Sequence, residues 1–314
     1  MRLDILKCHG SGNDFPLIDA RALNLSEADW AATAIALSDR AGPVGSDGIL
    51  LLTAGDADHA FGMRMLNADG SEAESCLNGL RCIARAGLED AGLEEADVRL
   101  ATSSARVARV AELAPGVATI REVAAPASLD IAAWPFAIDR ATLVDTPVAA
   151  LPSPRAFTAV AMPNPHLIAF VDAIDDAELV AIGAWCEAVP PILPNRANVS
   201  FVEQHGADTQ FVRTFERGVG LTDACGSAMA AATVAARLTG RIAGAEMITV
   251  LNPGGRVRAR ADADLVVTME GNATFEWRGT VDVETRARTA RDLRVTKRYP
   301  HEIAAWERAR EMRE

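Results

Sequence analysis

Nowhere in these 314 residues does an apolar run reach the roughly 18–20 residues that a bilayer-spanning helix requires. The opening MRLDILKCHG is too short and too charged for an export signal. Basic residues are in the minority, 31 Lys and Arg against 43 Asp and Glu, a formal charge of −12. That balance speaks against nucleic acid and against an anionic membrane surface as partners. Together these absences lead us to expect a soluble, cytoplasmic protein.

Metal-binding and cofactor signatures are missing too. There is no CxxC and no HxxxH, and the five histidines lie far apart, so no metal is expected. The five cysteines are odd in number and widely scattered, which excludes a disulfide framework. No GxGxxG follows a strand, no P-loop occurs, and no lysine is placed for a pyridoxal Schiff base. The expected cofactor is therefore none.

What is present is apolar substance and repetition. Nearly half the residues are apolar and the length suits two domains. Cys8, Cys82 and Cys186 sit among aliphatic neighbours and read as small core residues. A helix is expected over about 26–39, capped by SEAD, and another over about 78–92, ending on glycine. ILLL (49–52) and GMRML (62–66) are apolar runs between Gly- and Asp-rich turns, and residues 98–123 read as three strands. The Pro- and Ala-rich passage that follows has the composition of a crossover between domains. FTAVAMPNPHLIAFVD then reads as two strands broken at Pro-Asn-Pro, followed by a helix over about 177–187. NVSFVEQ and TQFVRTFERG read as an antiparallel pair, and an Ala-rich helix runs from Gly226 to Leu238. Three more strands, MITVLN, RVRARA and LVVTMEG, come after it.

The remaining cysteines, Cys76 and Cys225, occupy matching contexts. DGSEAESC-LNGLRC and GVGLTDAC-GSAMAA each pass from a Gly-rich turn through an acidic residue to a cysteine that opens a helix. Their separation is close to half the chain, which points to two similar halves with one thiol each. A helix N-terminus offers unsatisfied N–H groups and a partial positive charge, so it stabilises a thiolate and attracts a carboxylate. Two such ends facing each other would hold one carboxylate with a sulfur on each face of the adjacent carbon. Thiolate as base and thiol as acid would then invert that carbon.

Polar residues in turn-like settings accompany the pair. HGSGNDF supplies Asn13 and Asp14, LNADGSE supplies Asn67, PNPHL supplies Asn164, and NRANV supplies Asn198. FERGVG supplies Glu216 and Arg217 just before Cys225. Singly these are ordinary turn residues. As a set they compose a pocket of neutral amides with one acid and one base, suited to a small zwitterion.

At HGSGNDF, NADGSEAESCLNG, NPH, NRANV, ERGVG, ACGS and NPGG the chain resembles the diaminopimelate epimerases, cofactor-independent two-thiol amino-acid racemases. The resemblance covers almost all of residues 1–283. It implies an α/β (α+β) fold of two pseudo-symmetric domains, each a curved mixed sheet wrapped around a central helix. The implied boundaries are 1–127, completed by a strand near 275–283, and 128–274, with 284–314 as a basic helical extension that the family generally lacks. Carried over by position, Cys76 and Cys225 are the acid–base pair. Asn78, Gly79, Gly226 and Ser227 line the helix ends that grip the α-carboxylate. Glu216 holds the α-amino group, and Asn67, Asn164, Asn198 and Arg217 bind the distal amino-acid end, with Asn13 a further pocket residue. The sequence departs from the family at Leu77 and Ala228, and at Gly48 where a glutamine is common.

The activity so implied is epimerisation of LL- to meso-diaminopimelate, a step of lysine and cell-wall precursor biosynthesis. The partner is a small amino acid, and a homodimer is compatible with the sequence. A racemase of the same family acting on another amino acid, such as histidine, is the alternative, prompted by Leu77, Ala228 and Gly48. Isomerases of the same fold acting on proline derivatives or unsaturated tricarboxylates form a second class, opposed by Glu216–Arg217 and the asparagines. A non-catalytic amino-acid-binding protein is a third, opposed by two thiols in matched helix mouths.

Overall fold

A computed structural model describes residues 1–73, 76–123, 125–134, 136–162, 164–243 and 246–311. The chain divides into two compact units, Met1–Val123 with Glu270–Glu314, and Ala124–Met269. Glu74, Ser75 and Pro163, which belong to the motifs above, lie outside the described residues.

In the first unit, β1 (Arg2–Gly10) and β2 (Asn13–Asp19) form a hairpin whose turn is only Ser11 and Gly12, with φ of 54° and 84°. Two consecutive positive φ values suit a tight hairpin, and HGSGNDF is therefore mostly strand. Helix α1 (Glu27–Ser38) follows, and the hydroxyl of Ser26 accepts from the Asp29 amide at 3.1 Å as its cap. Then come β3 (Gly48–Ala54), β4 (Phe61–Asn67), α2 (Leu77–Ala91), β5 (Glu95–Arg99), β6 (Ser104–Val110) and β7 (Thr119–Val123). Successive pairings from β1 to β6 alternate antiparallel and parallel, and β6–β7 is antiparallel. Helix α2 packs against every strand from β1 to β7, so the sheet wraps it, and Gly92 closes it at φ 64°.

The second unit repeats the scheme. Its strands are β8 (Thr146–Pro147), β9 (Ala156–Ala161), β10 (Pro165–Phe170), β11 (Asn198–Gln204), β12 (Thr209–Glu216), β13 (Gly220–Thr222), β14 (Ile248–Asn252), β15 (Gly255–Ala261) and β16 (Val267–Asn272), the last crossing the unit boundary. From β9 through β10, β11, β12 and β14 to β15 the pairings again alternate antiparallel and parallel. Helix α3 (Asp176–Glu187) stands where α1 stands in the first unit, and α4 (Gly226–Leu238) where α2 does. Alanine dominates α4 and most of its residues are fully buried, as a helix surrounded by sheet requires. The fold class expected from the sequence is the one observed.

The tail differs from expectation. β17 (Thr274–Glu284) lies antiparallel to β1, and β18 (Thr289–Arg298) lies antiparallel to β17. Among the described residues of the tail only α5 (Pro300–Glu311) is helical. Residues 289–298 alternate exposed and half-buried positions over much of their length, a period suited to a strand, and β17 offers its free edge. Cys8, Cys82 and Cys186 are fully buried thiols, as their neighbours foretell, and burial pushes Cys186 up to about 12.

Candidate active site

Cys76 is the N-cap of α2, with extended φ and ψ of −151° and 97°. Its Sγ accepts from the Gly79 amide at 3.3 Å, taking the place a serine oxygen would hold. Leu77 and Asn78 open the helix, where α-geometry gives their amides no intrahelical carbonyl. Gly79 is required by space, since a Cβ there would meet Leu50 Cδ2 at 2.6 Å and Cys76 Sγ at 3.3 Å. Leu77 is itself buried.

The β1–β2 hairpin brings Asn13 to this mouth. The Cys76 thiol donates to Asn13 Oδ1 at 3.9 Å, a long sulfur contact, while Asn13 Nδ2 donates to Asp47 Oδ2 at 2.6 Å. Arg40 in turn binds Asp47 at 2.6 Å and Asp14 at 2.7 Å, and Lys7 reaches Asp14 from beneath. Burial raises Asp14, but hydrogen bonds from Arg40 and the charge of Lys7 outweigh it and hold the carboxyl below its ordinary range. Asp47, Arg40 and Lys7 were not marked by the sequence reading.

Under the same helix turn lies a buried network that the sequence reading also missed. Arg81 is fully buried and donates to Asn78 Oδ1 at 2.7 Å, Ser11 Oγ at 3.1 Å, the Asn272 carbonyl at 3.1 Å and Glu122 Oε1 at 2.8 Å. Burial pushes Glu122 up to about 7, with Arg81 opposing. Asn272 receives the Ser11 amide at 2.7 Å and lies 3.3 Å from His9 Nδ1. His9 is held neutral, lowered to about 4 chiefly by burial. Gly10 lets the hairpin approach, because a Cβ would stand 2.5 Å from the Asn78 carbonyl. So Asn78, expected only to line the helix end, is clamped from below.

Asn67 is held separately, at the end of β4, where its amide donates to Ser71 Oγ at 3.0 Å. Gly48 pairs with it across β3–β4, and a Cβ there would meet the Leu66 carbonyl at 2.4 Å. This backbone has no room for the side chain common in the family.

In the second unit Cys225 is the N-cap of α4, with φ −122° and ψ 106°, and its Sγ lies 3.5 Å from Ser227 Oγ. Gly226 and Ser227 begin the helix, and Ala228 is fully buried. A distinct group forms on the strands. Asn198 Oδ1 accepts from the Arg217 amide at 2.8 Å, which turns its Nδ2 toward His166 Nε2 at 3.4 Å. That same nitrogen lies 3.2 Å from Asn164 Oδ1. While Asn198 holds the Arg217 backbone, His166 stands between the two asparagines, and its neutral Nε2 either accepts from Asn198 or donates to Asn164. It is wholly buried, lowered to about 3 chiefly by burial and secondarily by the Arg217 charge. Glu216 ends β12, and the tight turn to β13 puts Gly218 and Gly220 at φ 78° and 98°. The Arg217 guanidinium donates to the Asn195 carbonyl at 2.9 Å.

The first unit thus presents a thiol at a helix mouth with the Asn13 side chain beside it, and the second presents a thiol at a helix mouth and an asparagine–arginine cluster around a neutral histidine. A family profile described as diaminopimelate epimerase matches residues 5–110 and 158–276. The diaminopimelate epimerase of Clostridium acetobutylicum is 37% identical over 292 residues, 91% of this chain and 87% of that protein. That of Ligilactobacillus salivarius is 39% identical over 285 residues, 87% of this chain and 88% of that protein. Among solved structures, a hydroxyproline epimerase from Agrobacterium vitis superposes with a TM-score of 0.64 at 13% identity, covering 90% of this chain and 92% of that one. At that identity the last match speaks to fold alone.

Proposed function

Because this chain belongs to the diaminopimelate epimerase family, we propose that it interconverts LL- and meso-diaminopimelate without a cofactor, with Cys76 and Cys225 as the acid–base pair. The chain is an isomerase by kinship. The observation that carries the proposed roles is that each of two topologically equivalent helices, α2 and α4, is capped by a cysteine. Inversion needs a base on one face of the α-carbon and an acid on the other. In one direction a thiolate removes the α-proton, the electron pair passes toward the carboxylate, and the other thiol returns a proton from the opposite side. The base ends as thiol and the acid as thiolate, so the reverse reaction starts from the exchanged state.

The first amides of α2 and α4, at Leu77 and Asn78 and at Gly226 and Ser227, supply donors for the substrate α-carboxylate, where negative charge grows as the proton leaves, while Gly79 keeps its amide on the Cys76 sulfur. Glu216 takes the α-ammonium. Asn164, Asn198 and Arg217, gathered around His166, take the distal amino-acid end with Asn67. Restricting that end to a second zwitterion is what distinguishes diaminopimelate from lysine or alanine. The cytoplasm, where free amino acids are made, is the proposed location; no helix among the described residues is long and apolar enough to cross a membrane.

The test is proton exchange in heavy water. Cys76→Ala and Cys225→Ala should each lose inversion by orders of magnitude. Each should still introduce deuterium with retained configuration into the one stereoisomer whose hydrogen faces the remaining thiol. Near-native inversion by either variant would remove that cysteine from the mechanism. Turnover of histidine or lysine faster than diaminopimelate would remove the substrate and leave the two-thiol chemistry standing.

A further inference from the structure

Helix α5 lies beyond the last residue that the family profile matches, 276, and it touches three elements of the first unit, α2, β17 and β1. Its Glu302 makes a two-pronged pair with Arg85 of α2, at 2.5 and 2.9 Å, and also accepts the Phe275 amide at 3.1 Å. Arg85 itself is anchored from three further sides. It donates to the Ala273 carbonyl at 2.7 Å and to Glu89 at 2.9 Å, and its guanidinium lies 3.7 Å from the Phe275 ring centre. One turn along α5, Trp306 is 3% exposed and meets the ring of His9 in β1 at 5.8 Å between centres, tilted by 56°. Ala305, Trp306 and Ala309 bury a small apolar cluster with Ala114 and Val117.

The two attachment points are well chosen. Arg85 belongs to the helix whose first turn carries Cys76, Asn78 and Gly79. His9 lies near the tip of the hairpin that presents Asn13 and, through Asn272 and Ser11, meets the Arg81 clamp under Asn78. The contacts of α5 with Arg85 and His9 reach the site through α2 and the hairpin. We propose that α5 is a strut that sets the position of the Cys76 helix mouth relative to Asn13, with Glu302 and Trp306 as positioning residues. This rests on the reading of Cys76 as catalytic. A bidentate Arg–carboxylate pair fixes direction as well as distance, and a buried indole on a neutral imidazole fixes the hairpin's height. The physical reason such a contact matters remotely is that proton transfer requires near-contact geometry, which a small displacement forfeits.

The experiment compares Glu302→Ala, Trp306→Ala and the milder Glu302→Gln and Trp306→Phe with Leu293→Ala, which trims an apolar contact of β18 away from both attachment points. For each, kcat, KM, thermal midpoint and the rate of Cys76 alkylation by iodoacetamide, located by peptide mapping, are measured on the full chain below its melting temperature. The strut predicts that both alanine variants lower kcat about tenfold with KM within about twofold, and that both alter the Cys76 alkylation rate. Trp306→Phe, which keeps a ring on His9, should restore kcat, and Leu293→Ala should leave kcat and alkylation native while lowering the midpoint. If an alanine variant fails to fold, Glu302→Gln carries the same reading in reduced form. Native kcat in the folded Glu302 and Trp306 variants, or an equal kcat loss in Leu293→Ala at equal loss of stability, would overturn the strut. A Cys76→Ala variant measured alongside separates the premises: if it stays active the catalytic reading has failed, and if it is dead while the α5 variants are native the strut alone has failed.

Discussion

The side-chain amide of Asn13 donates to Asp47 at 2.6 Å, and that bond decides which end of the amide Cys76 meets. A carboxylate needs a donor, so Nδ2 is committed to Asp47 and Oδ1 is left for the thiol. An acceptor beside sulfur favours the protonated thiol, in opposition to the Gly79 amide and the helix end, which favour thiolate. The mouth of α2 thus sets an acceptor against a donor at the sulfur.

Removing Asp47 should upset that balance in a known direction. In Asp47→Ala the Asn13 amide is free to turn its NH2 toward sulfur, which favours thiolate. The pH at which iodoacetamide begins to alkylate Cys76 should move down, and kcat should fall about tenfold. Asn13→Ala should move the alkylation pH the same way. An unchanged or raised alkylation pH in Asp47→Ala would show that the carboxylate does not set the amide.

The buried Arg81–Glu122 pair lends itself to a two-step test. Arg81→Met leaves Glu122 buried without its cation and should cost about 3–5 kcal/mol in denaturant unfolding. Adding Glu122→Leu should recover much of that loss. Turnover should not recover with it, because Asn78 and Ser11 still lack their donor. Full recovery of activity in the double variant would mean that the clamp serves stability alone.

Two buried histidines fix a pH dependence. His166 and His9 are depressed to about 3 and about 4, against an ordinary value of 6.5. Above 6.5 they are neutral in both folded and unfolded chains. As pH falls below 6.5 the unfolded chain takes protons that the folded one refuses, so stability drops until the folded-state values are reached. The slope approaches about 1.4 kcal/mol per pH unit for each histidine. His166→Gln should show a flatter urea-midpoint profile between pH 6.5 and 4.5 than the native chain, and an equal slope would contradict the assignment.

Gly10→Ala tests the close approach of hairpin and helix. Its Cβ would meet the Asn78 carbonyl at 2.5 Å, a backbone atom with little freedom to give way. Stability should fall by about 1–3 kcal/mol. Turnover at temperatures where the variant is fully folded should fall as well, because the hairpin carries Asn13. A stability loss without any kinetic loss would separate the hairpin from the chemistry.

Much of this was written in local sequence. Ser26 before Glu27 and Gly92 after Ala91 mark the ends of α1 and α2 by cap chemistry, and the Ala-rich run of α4 has no face that tolerates water. The paired cysteines were legible because each breaks an otherwise ordinary helix start. Asn13, Asn67, Asn164 and Asn198 stood out as polar groups in turns. Arg81, Glu122 and Asn272 did not, since their partners are far along the chain and nothing local says that a charge will be buried. His166 sat in view within NPH, yet its role depends on β10 and β11 lying side by side and in register, where it faces Asn198. The tail misled for the opposite reason: its basic amphipathic pattern suggests a helix, while the strand state of 289–298 is decided by the open edge of β17.

The duplicated topology conceals an inequality between its halves. The central helix of the first unit is underlain by two buried guanidinium groups, Arg81 and Arg85, whereas that of the second is an almost unbroken sequence of small neutral side chains. The two thiols therefore rest on different ground, one on ion pairs of Arg81 with Glu122 and of Arg85 with Glu302, the other on neutral side chains. For a racemase acting on mirror-image forms of equal energy, such lopsidedness would be a handicap. LL- and meso-diaminopimelate are not mirror images, and the carbon beyond the reacting one remains L in both. A catalyst for them has no need of matching halves, and in this chain the setting beneath each sulfur differs while the order of strands and helices repeats.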